Sequence, residues 1–127
     1  MKILIVEDDF LSRKLMLSYL APLGQCDVAS NGSEAMEAFT LAHKEKEPYD
    51  LITLDIMMPD LSGQEVLKRV RAYEEEKQIL FSDGRVKVIM TTALKDGSNV
   101  MDAFKNQCEG YLVKPIDSDE LMALINQ

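Results

Sequence analysis

Short apolar runs alternate along the chain with longer segments in which apolar residues recur every three or four positions. Four of the five runs are almost continuously apolar, which is typical of strands buried on both faces of a parallel sheet. The second run contains Asp27, which favours an edge position. The predicted strands are ILIV (3–6), CDVA (26–29), LITL (51–54), VKVIM (86–90) and YLV (111–113).

The intervening segments have the periodicity of amphipathic helices, and we expect their apolar stripes to face the core. Pro22 and Gly24 are placed to end the first helix, Asn31 to begin the second, and Asp117 or Ser118 to cap the last. The stripes are Leu11, Leu15, Met16, Tyr19 and Leu20; Ala35, Met36 and Phe39; Val66, Leu67 and Val70; Val100, Met101 and Phe104; and Leu121, Leu124 and Ile125.

This alternation predicts an α/β domain of (βα)5 type, with a parallel sheet covered by helices on both faces. Ligands of such sheets bind beyond the carboxyl ends of the strands. Acidic residues follow the first strand (EDD, 7–9), Asp55 follows the third, and Lys114 follows the fifth. Because we expect the first and third strands to be neighbours, about 4.8 Å apart, Asp8 and Asp9 should lie close to Asp55.

These three aspartates need a compensating charge. Two carboxylates about 5 Å apart repel by roughly 3 kcal/mol at an effective dielectric constant near 20. A hard divalent cation with oxygen ligands, such as Mg²⁺, answers that need, and Lys114 supplies a second positive charge. A single Asp after a strand is more often a helix cap or a solvated turn, and Asp9 is also placed to cap the first helix.

Four motifs occupy this edge: the acids of IVEDD, the stretch LDIMMPDLSG around Asp55, TTA after the fourth strand and KP after YLV. On these motifs the chain resembles, over nearly its whole length, the receiver family, the CheY-like phosphoacceptor domains of two-component signalling. The resemblance implies a flavodoxin-like doubly wound fold with strand order 2-1-3-4-5. It also implies a single receiver domain over residues 1–127 without an effector domain.

The resemblance implies that Asp55 accepts a phosphoryl group from a phosphohistidine of a sensor histidine kinase or phosphotransfer protein. It implies a Mg²⁺ cofactor held by Asp9, Asp55 and the backbone carbonyl of Met57, with Asp8 helping directly or through water. Mg²⁺ and Lys114 would offset the charge of the incoming group. The chain would then be a signalling switch that catalyses only its own phosphorylation and dephosphorylation.

Further roles follow from the same resemblance. Thr92 would hydrogen-bond the phosphoryl group and form a switch pair with Tyr111, although Tyr111 also fits a plain core aromatic residue. The peptide bond before Pro115 is expected to be cis, a form that about 5–6% of X-Pro bonds adopt. Lys114 would pair with the phosphoryl group. The predicted fourth helix, fifth strand and fifth helix would form the face that controls a downstream protein.

Two features depart from the commonest family pattern. Met57 and Leu94, two positions beyond Asp55 and Thr92, are apolar where polar residues are frequent, and we hypothesise that they slow autodephosphorylation by limiting water access. The link 74–85 is long, and its acidic run EEE (74–76) is predicted to be a solvated helix face.

Composition narrows the functional classes. A length of 127 residues suits one domain, and the net charge of -8 opposes direct binding to nucleic acid or anionic membranes. No apolar run approaches the roughly 20 residues of a membrane span, and the amino terminus does not resemble a secretion signal, so we expect a cytoplasmic protein. The chain also fits the front of a longer regulator.

Three other functions share parts of this pattern. A flavodoxin-type electron carrier has the same fold, but the acidic EDDF turn lacks the free donors that a flavin phosphate needs. An aspartyl-phosphate hydrolase normally has a second acid where Met57 stands. A degenerate receiver that only binds partners is disfavoured because the functional positions are filled.

Overall fold

The computed structural model describes residues 1–79, 84–93 and 107–127. Five parallel strands form one sheet in the order β2-β1-β3-β4-β5, which confirms the predicted fold and the edge position of the second strand. Leu94 and the predicted stripe Val100, Met101 and Phe104 lie outside the described residues. The elements are β1 (Lys2–Val6), α1 (Phe10–Leu20), a 3-10 turn (Ala21–Leu23), β2 (Gln25–Ala29), α2 (Gly32–Lys44), β3 (Leu51–Asp55), α3 (Gly63–Glu76), β4 (Lys87–Thr92), β5 (Gly110–Val113) and a C-terminal helix (Ser118–Ile125).

Both faces of the sheet are covered, which explains why the central strands are apolar throughout. Ile3 and Ile5 of β1 join the core layer beneath α1 and the C-terminal helix. Leu4 and Val6, which alternate with them, join the layer beneath α2 and α3. Among the helices of the described ranges, none is long and apolar enough to cross a membrane.

The predicted stripe of α1 is only partly buried. Met16 and Leu20 are buried, but Leu11 is 73% exposed and Leu15 is 41% exposed, so the prediction was wrong for these two. At about 100° per residue, the predicted stripe spans about half of the helix circumference. The sheet covers only the side of Met16 and Leu20, and the other side of α1 remains apolar and open.

The predicted helix starts are confirmed by their caps. Asn31 accepts a hydrogen bond from the Glu34 amide at 2.8 Å at the start of α2. Asp117 accepts from the amides of Asp119 at 2.8 Å and Glu120 at 3.2 Å at the start of the C-terminal helix. These side chains satisfy amides that the first turn of a helix leaves without partners.

The connection from β3 to α3 holds the end of β3 in place. A Cβ atom on Gly63 would lie 2.4 Å from the carbonyl oxygen of Asp55, so only glycine lets α3 begin this close to that strand. Asp60 accepts hydrogen bonds from the amides of Gly32 and Ser33, each at 3.0 Å, at the start of α2. Hydrogen bonds from Ser33, Leu61 and Gly32 hold the pKa of Asp60 well below its usual range.

Candidate functional site

Three carboxylates meet at the carboxyl edge of the sheet. Oxygens of Glu7, Asp8 and Asp55 lie within 4.8 Å of one another. Val6 of β1 pairs with Leu54 of β3, so the residues that follow them, Glu7 and Asp55, are side by side. Both side chains are buried, whereas Asp8 is exposed. The sheet therefore concentrates negative charge where the resemblance places the phosphoacceptor.

Lys114 brings a positive charge to this group. Its amino group forms an ion pair with Glu7 and lies 3.5 Å from Oδ1 of Asp55. Its backbone amide donates to the Thr92 carbonyl at 2.7 Å, which fixes the end of β5 against the end of β4. Burial lowers the pKa of Lys114, but the hydrogen bond and charge of Glu7 and the charge of Asp55 outweigh burial and raise that pKa overall. Lys114 thus stays a cation beside Asp55.

In the structure Asp9 lies outside the group formed by Glu7, Asp8 and Asp55. Its carboxylate accepts a hydrogen bond from the Ser12 amide at 2.8 Å and caps α1, which was the alternative interpretation of this residue. That bond lowers the pKa of Asp9. Glu7 stands in its place in the group with Asp8 and Asp55.

The alternation of side chains along β1 is the sequence signal that points to Glu7. Side chains alternate between the two faces of a strand, so Ile3, Ile5 and Glu7 point to one face. The same alternation in β3 puts Thr53 and Asp55 on one face. Chain order alone, which grouped the acids after the strand, does not separate these two faces.

The surroundings of Asp55 disfavour its ionised form. Burial, together with the hydrogen bond and the charge of Glu7, raises the pKa of Asp55 from an ordinary value of 3.8 to about 8, although the charge of Lys114 acts in the opposite direction. The backbone amide of Met57 also donates to Oδ1 of Asp55 at 3.4 Å. Extra positive charge near Asp55 would therefore stabilise the ionised form.

We expect Asp55→Asn to stabilise the metal-free protein, and the gain to grow as the pH rises from about 4 to about 8. A carboxyl group whose folded-state pKa lies above its unfolded-state pKa loses its favourable contribution as the pH rises between the two values. Asparagine does not titrate. Urea unfolding of both proteins in EDTA at several pH values measures this difference, and a difference that is constant with pH would contradict it.

The residues present fit a magnesium ion. The group offers only carboxylate oxygens, which suit a hard cation. Oε2 of Glu7 is buried and has no hydrogen-bond partner among the residues that the structure describes. A buried carboxylate oxygen without a partner is costly, so a cation there would satisfy it. This fit rests on Glu7 in place of Asp9.

Comparison with known proteins agrees with this geometry. The family model described as the response regulator receiver domain matches residues 3–126. The chain belongs to the response regulator receiver family. This membership favours a signalling switch over the electron carrier and the hydrolase that share parts of the pattern.

Two curated relatives and one solved structure illustrate the range of similar receivers. The chain is 34% identical to the chemotaxis protein CheY of Bacillus subtilis over 128 residues, which covers 99% of this chain and 95% of CheY. It is 34% identical to the transcriptional regulatory protein CrdR of Helicobacter pylori over 99% of this chain, but spans only 54% of CrdR. The response regulator TrrA of Thermotoga maritima, solved in complex with Mg²⁺-BeF, superposes with a TM-score of 0.77 at 31% identity, over 98% of this chain and 96% of TrrA.

The remaining predicted residues lie on β4 and β5 and in the segments that follow β3 and β5. Thr92 is buried at the end of β4. Tyr111 of β5 is 41% exposed, so in this structure it is not a core aromatic residue. The Lys114-Pro115 peptide bond is cis, as the resemblance implied. The Met57 side chain, two residues after Asp55, is 61% exposed.

Proposed function

We propose that this receiver takes a phosphoryl group from a phosphohistidine of a sensor histidine kinase or phosphotransfer protein onto Asp55, in a reaction that requires Mg²⁺. The observation that carries the proposal is the buried Asp55 carboxylate, 3.5 Å from the Lys114 amino group and grouped with Glu7 and Asp8. The similarity to TrrA, whose solved complex contains Mg²⁺-BeF, supports the choice of metal.

In the proposed reaction an oxygen of the Asp55 carboxylate attacks phosphorus. The bond between phosphorus and the histidine nitrogen breaks, and its electron pair stays on that nitrogen. Phosphoryl transfer depends mainly on alignment and charge stabilisation, so the position of Lys114 beside Asp55 is the important feature. Lys114 offsets the charge on the transferred group. The product is an aspartyl phosphate.

Glu7, Asp8 and Asp55 would hold the metal, and the Met57 backbone carbonyl is the further ligand that the family resemblance implies. Bound Mg²⁺ supplies charge neutralisation at the phosphoryl oxygens. Met57 follows Asp55 closely, since its amide already contacts Oδ1 of that residue. Asp9 has no direct part in this assignment, because its carboxylate caps α1.

Incubation with Mg²⁺ and acetyl phosphate, followed by intact-protein mass spectrometry, tests the proposal. We expect the wild-type protein to gain the mass of one phosphoryl group and Asp55→Asn to gain none. Beryllofluoride should bind the wild-type protein only when Mg²⁺ is present. Unmodified wild-type protein, or equal labelling of Asp55→Asn, would refute the assignment of Asp55.

We further propose that phosphorylation shifts a conformational equilibrium through Thr92 and Tyr111. Thr92, at the end of β4, would hydrogen-bond the phosphoryl group, and the exposed ring of Tyr111 would move inward.

The downstream partner would be a protein that contacts β5, the C-terminal helix and the predicted fourth helix. The predicted fourth helix lies outside the described residues. The expected absence of direct nucleic-acid binding rests on the net charge of -8.

Slow loss of the phosphoryl group is the expected consequence of apolar residues at the site. Met57 projects an exposed apolar side chain next to Asp55, while Leu94 lies outside the described residues. We expect the aspartyl phosphate of Met57→Asn to be hydrolysed faster than that of the wild-type protein, because an amide side chain can hydrogen-bond a water molecule beside Asp55 and a thioether cannot. Decay of the phosphorylated mass after removal of acetyl phosphate measures both rates. A wild-type half-life of seconds without a phosphatase would contradict the hypothesis.

A further inference from the structure

A cleft lies between α1 and the turn that follows β5. Its volume is about 400 Å³, within the range of roughly 300–1,000 Å³ that is common for small-molecule sites. Leu11 and Leu15 of α1 form one wall, and Pro115 and Ile116 form the other. The cleft therefore offers apolar walls of the size that a compact organic molecule needs.

Thr53 lies on the floor of this cleft. It belongs to β3, two residues before Asp55, and is 2% exposed. Its neighbours in register are Ile5 of β1 and Ile89 of β4, so its surroundings in the sheet are apolar. Its Oγ1 has no hydrogen-bond partner among the residues that the structure describes. A buried hydroxyl group without a hydrogen-bond partner is unfavourable, so a polar group that entered from the cleft and bonded to Oγ1 would stabilise the structure.

The charges beside the cleft limit what enters it. Glu7 and Lys114 both line the cleft and form an ion pair with each other. A ligand with a net charge would compete with one member of that pair and be repelled by the other. A neutral ligand avoids both costs, and a hydroxyl group can either donate to or accept from Thr53.

The wall formed by α1 also indicates an occupant. Leu11 is 73% exposed and Leu15 is 41% exposed, one turn apart on the same face of the helix. Neither is needed to cover the sheet, since Met16 and Leu20 do that. Apolar side chains that line a cleft and remain open to solvent are typical of a ligand-binding surface.

We propose that this cleft binds a small neutral amphipathic molecule, with an apolar body between Leu15 and Ile116 and a hydroxyl head hydrogen-bonded to Thr53. The site goes beyond phosphoryl transfer and does not depend on it, because Thr53 takes no part in the proposed reaction. A ligand there would lie beside Lys114 and Glu7, which also line the cleft.

Benzyl alcohol and toluene are suitable probes, since they share the ring and differ in the hydroxyl group. Their binding can be followed by NMR of the Leu and Ile methyl groups. We expect saturable shifts at Leu11, Leu15 and Ile116 with the alcohol. Thr53→Val, which preserves the shape of the side chain, should weaken the alcohol up to about tenfold, the effect of one hydrogen bond, and leave toluene unchanged.

Thr40→Val is the matched control, because Thr40 lies on α2 and its hydroxyl group donates to the carbonyls of Met36 and Glu37 on the same helix. It should leave both affinities unchanged. Leu11→Glu provides a second variant at an exposed position and should weaken both probes. The proposal is overturned if the methyl shifts do not saturate, or if the alcohol binds wild type and Thr53→Val equally well.

The test separates this site from the proposed function. Asp55→Asn should bind benzyl alcohol like the wild-type protein, although it accepts no phosphoryl group. Failure of acetyl phosphate to modify Asp55 would leave the probe titration unaffected. Loss of probe binding alone would refute the cleft and leave the phosphoacceptor assignment intact.

Discussion

Asp8→Asn is expected to bind Mg²⁺ at least about 100-fold more weakly than the wild-type protein, and Glu7→Gln should do the same. Loss of a group that merely orients a metal ligand already costs about 10–100-fold in affinity, so loss of a direct carboxylate ligand should cost at least as much. Both residues belong to the group within 4.8 Å that includes Asp55. Calorimetric titration with Mg²⁺ measures the dissociation constants.

Asp9→Asn is the matched control for these two variants. It removes one negative charge, as they do, but from a carboxylate that caps α1. Asparagine is as good an N-cap as aspartate, so the variant should fold normally and keep most of its Mg²⁺ affinity. If Asp9→Asn instead lost as much affinity as Asp8→Asn, the ligand set first implied by the family resemblance would be correct.

Arg71→Met is expected to lower the free energy of unfolding by about 3–5 kcal/mol, the usual cost of removing one partner of a buried ion pair. Arg71 donates to Glu74 Oε1 and the Gln107 carbonyl, each at 2.7 Å, and to the Val86 carbonyl at 2.8 Å. It also lies 3.3 Å from Glu109. The guanidinium thus joins α3 to the beginnings of β4 and β5, and methionine would remove the ion-pair partner of the buried Glu74 carboxylate.

Arg69→Met provides the comparison for Arg71→Met, because Arg69 precedes Arg71 by two residues on α3. Its ion pair with Glu65, at 3.4 Å, has about half of each side chain exposed. Exposed pairs of this kind contribute about 0–1 kcal/mol. In urea unfolding, the loss of unfolding free energy should therefore be several-fold larger for Arg71→Met than for Arg69→Met. Equal losses would show that the Arg71 network contributes no more than a surface pair.

The buried position of Glu74 differs from the sequence prediction. The acidic run 74–76 was predicted to be a solvated face, but Glu74 is 3% exposed and also accepts from the Val86 amide at 2.8 Å. Charge alone predicts exposure, and the prediction was wrong for Glu74, because the Val86 amide from the start of β4 joins Arg71 of the same helix around this carboxylate. The packing of α3 against the start of β4 brings that amide to the carboxylate, whereas Arg71 lies one helical turn before Glu74.

Features that depend on neighbouring residues could be predicted from the amino-acid sequence. Apolar runs and helical periodicity predicted the strands and their alternation with helices, and Asn31 and Asp117 marked helix starts. Asp55 and Lys114 could be placed at one edge because parallel strands all end there. These signals extend over a few residues, so they can be recognised in the amino-acid sequence.

The tertiary structure establishes which side chains share an environment. It put Glu7 rather than Asp9 beside Asp55, because the face of β1 and the cap of α1 divide adjacent acids between two roles. It turned Leu11 outward, because the sheet covers only one side of α1. It also placed Thr53 on the floor of a cleft. Each outcome depends on elements far apart in the chain, whose contacts local periodicity does not record.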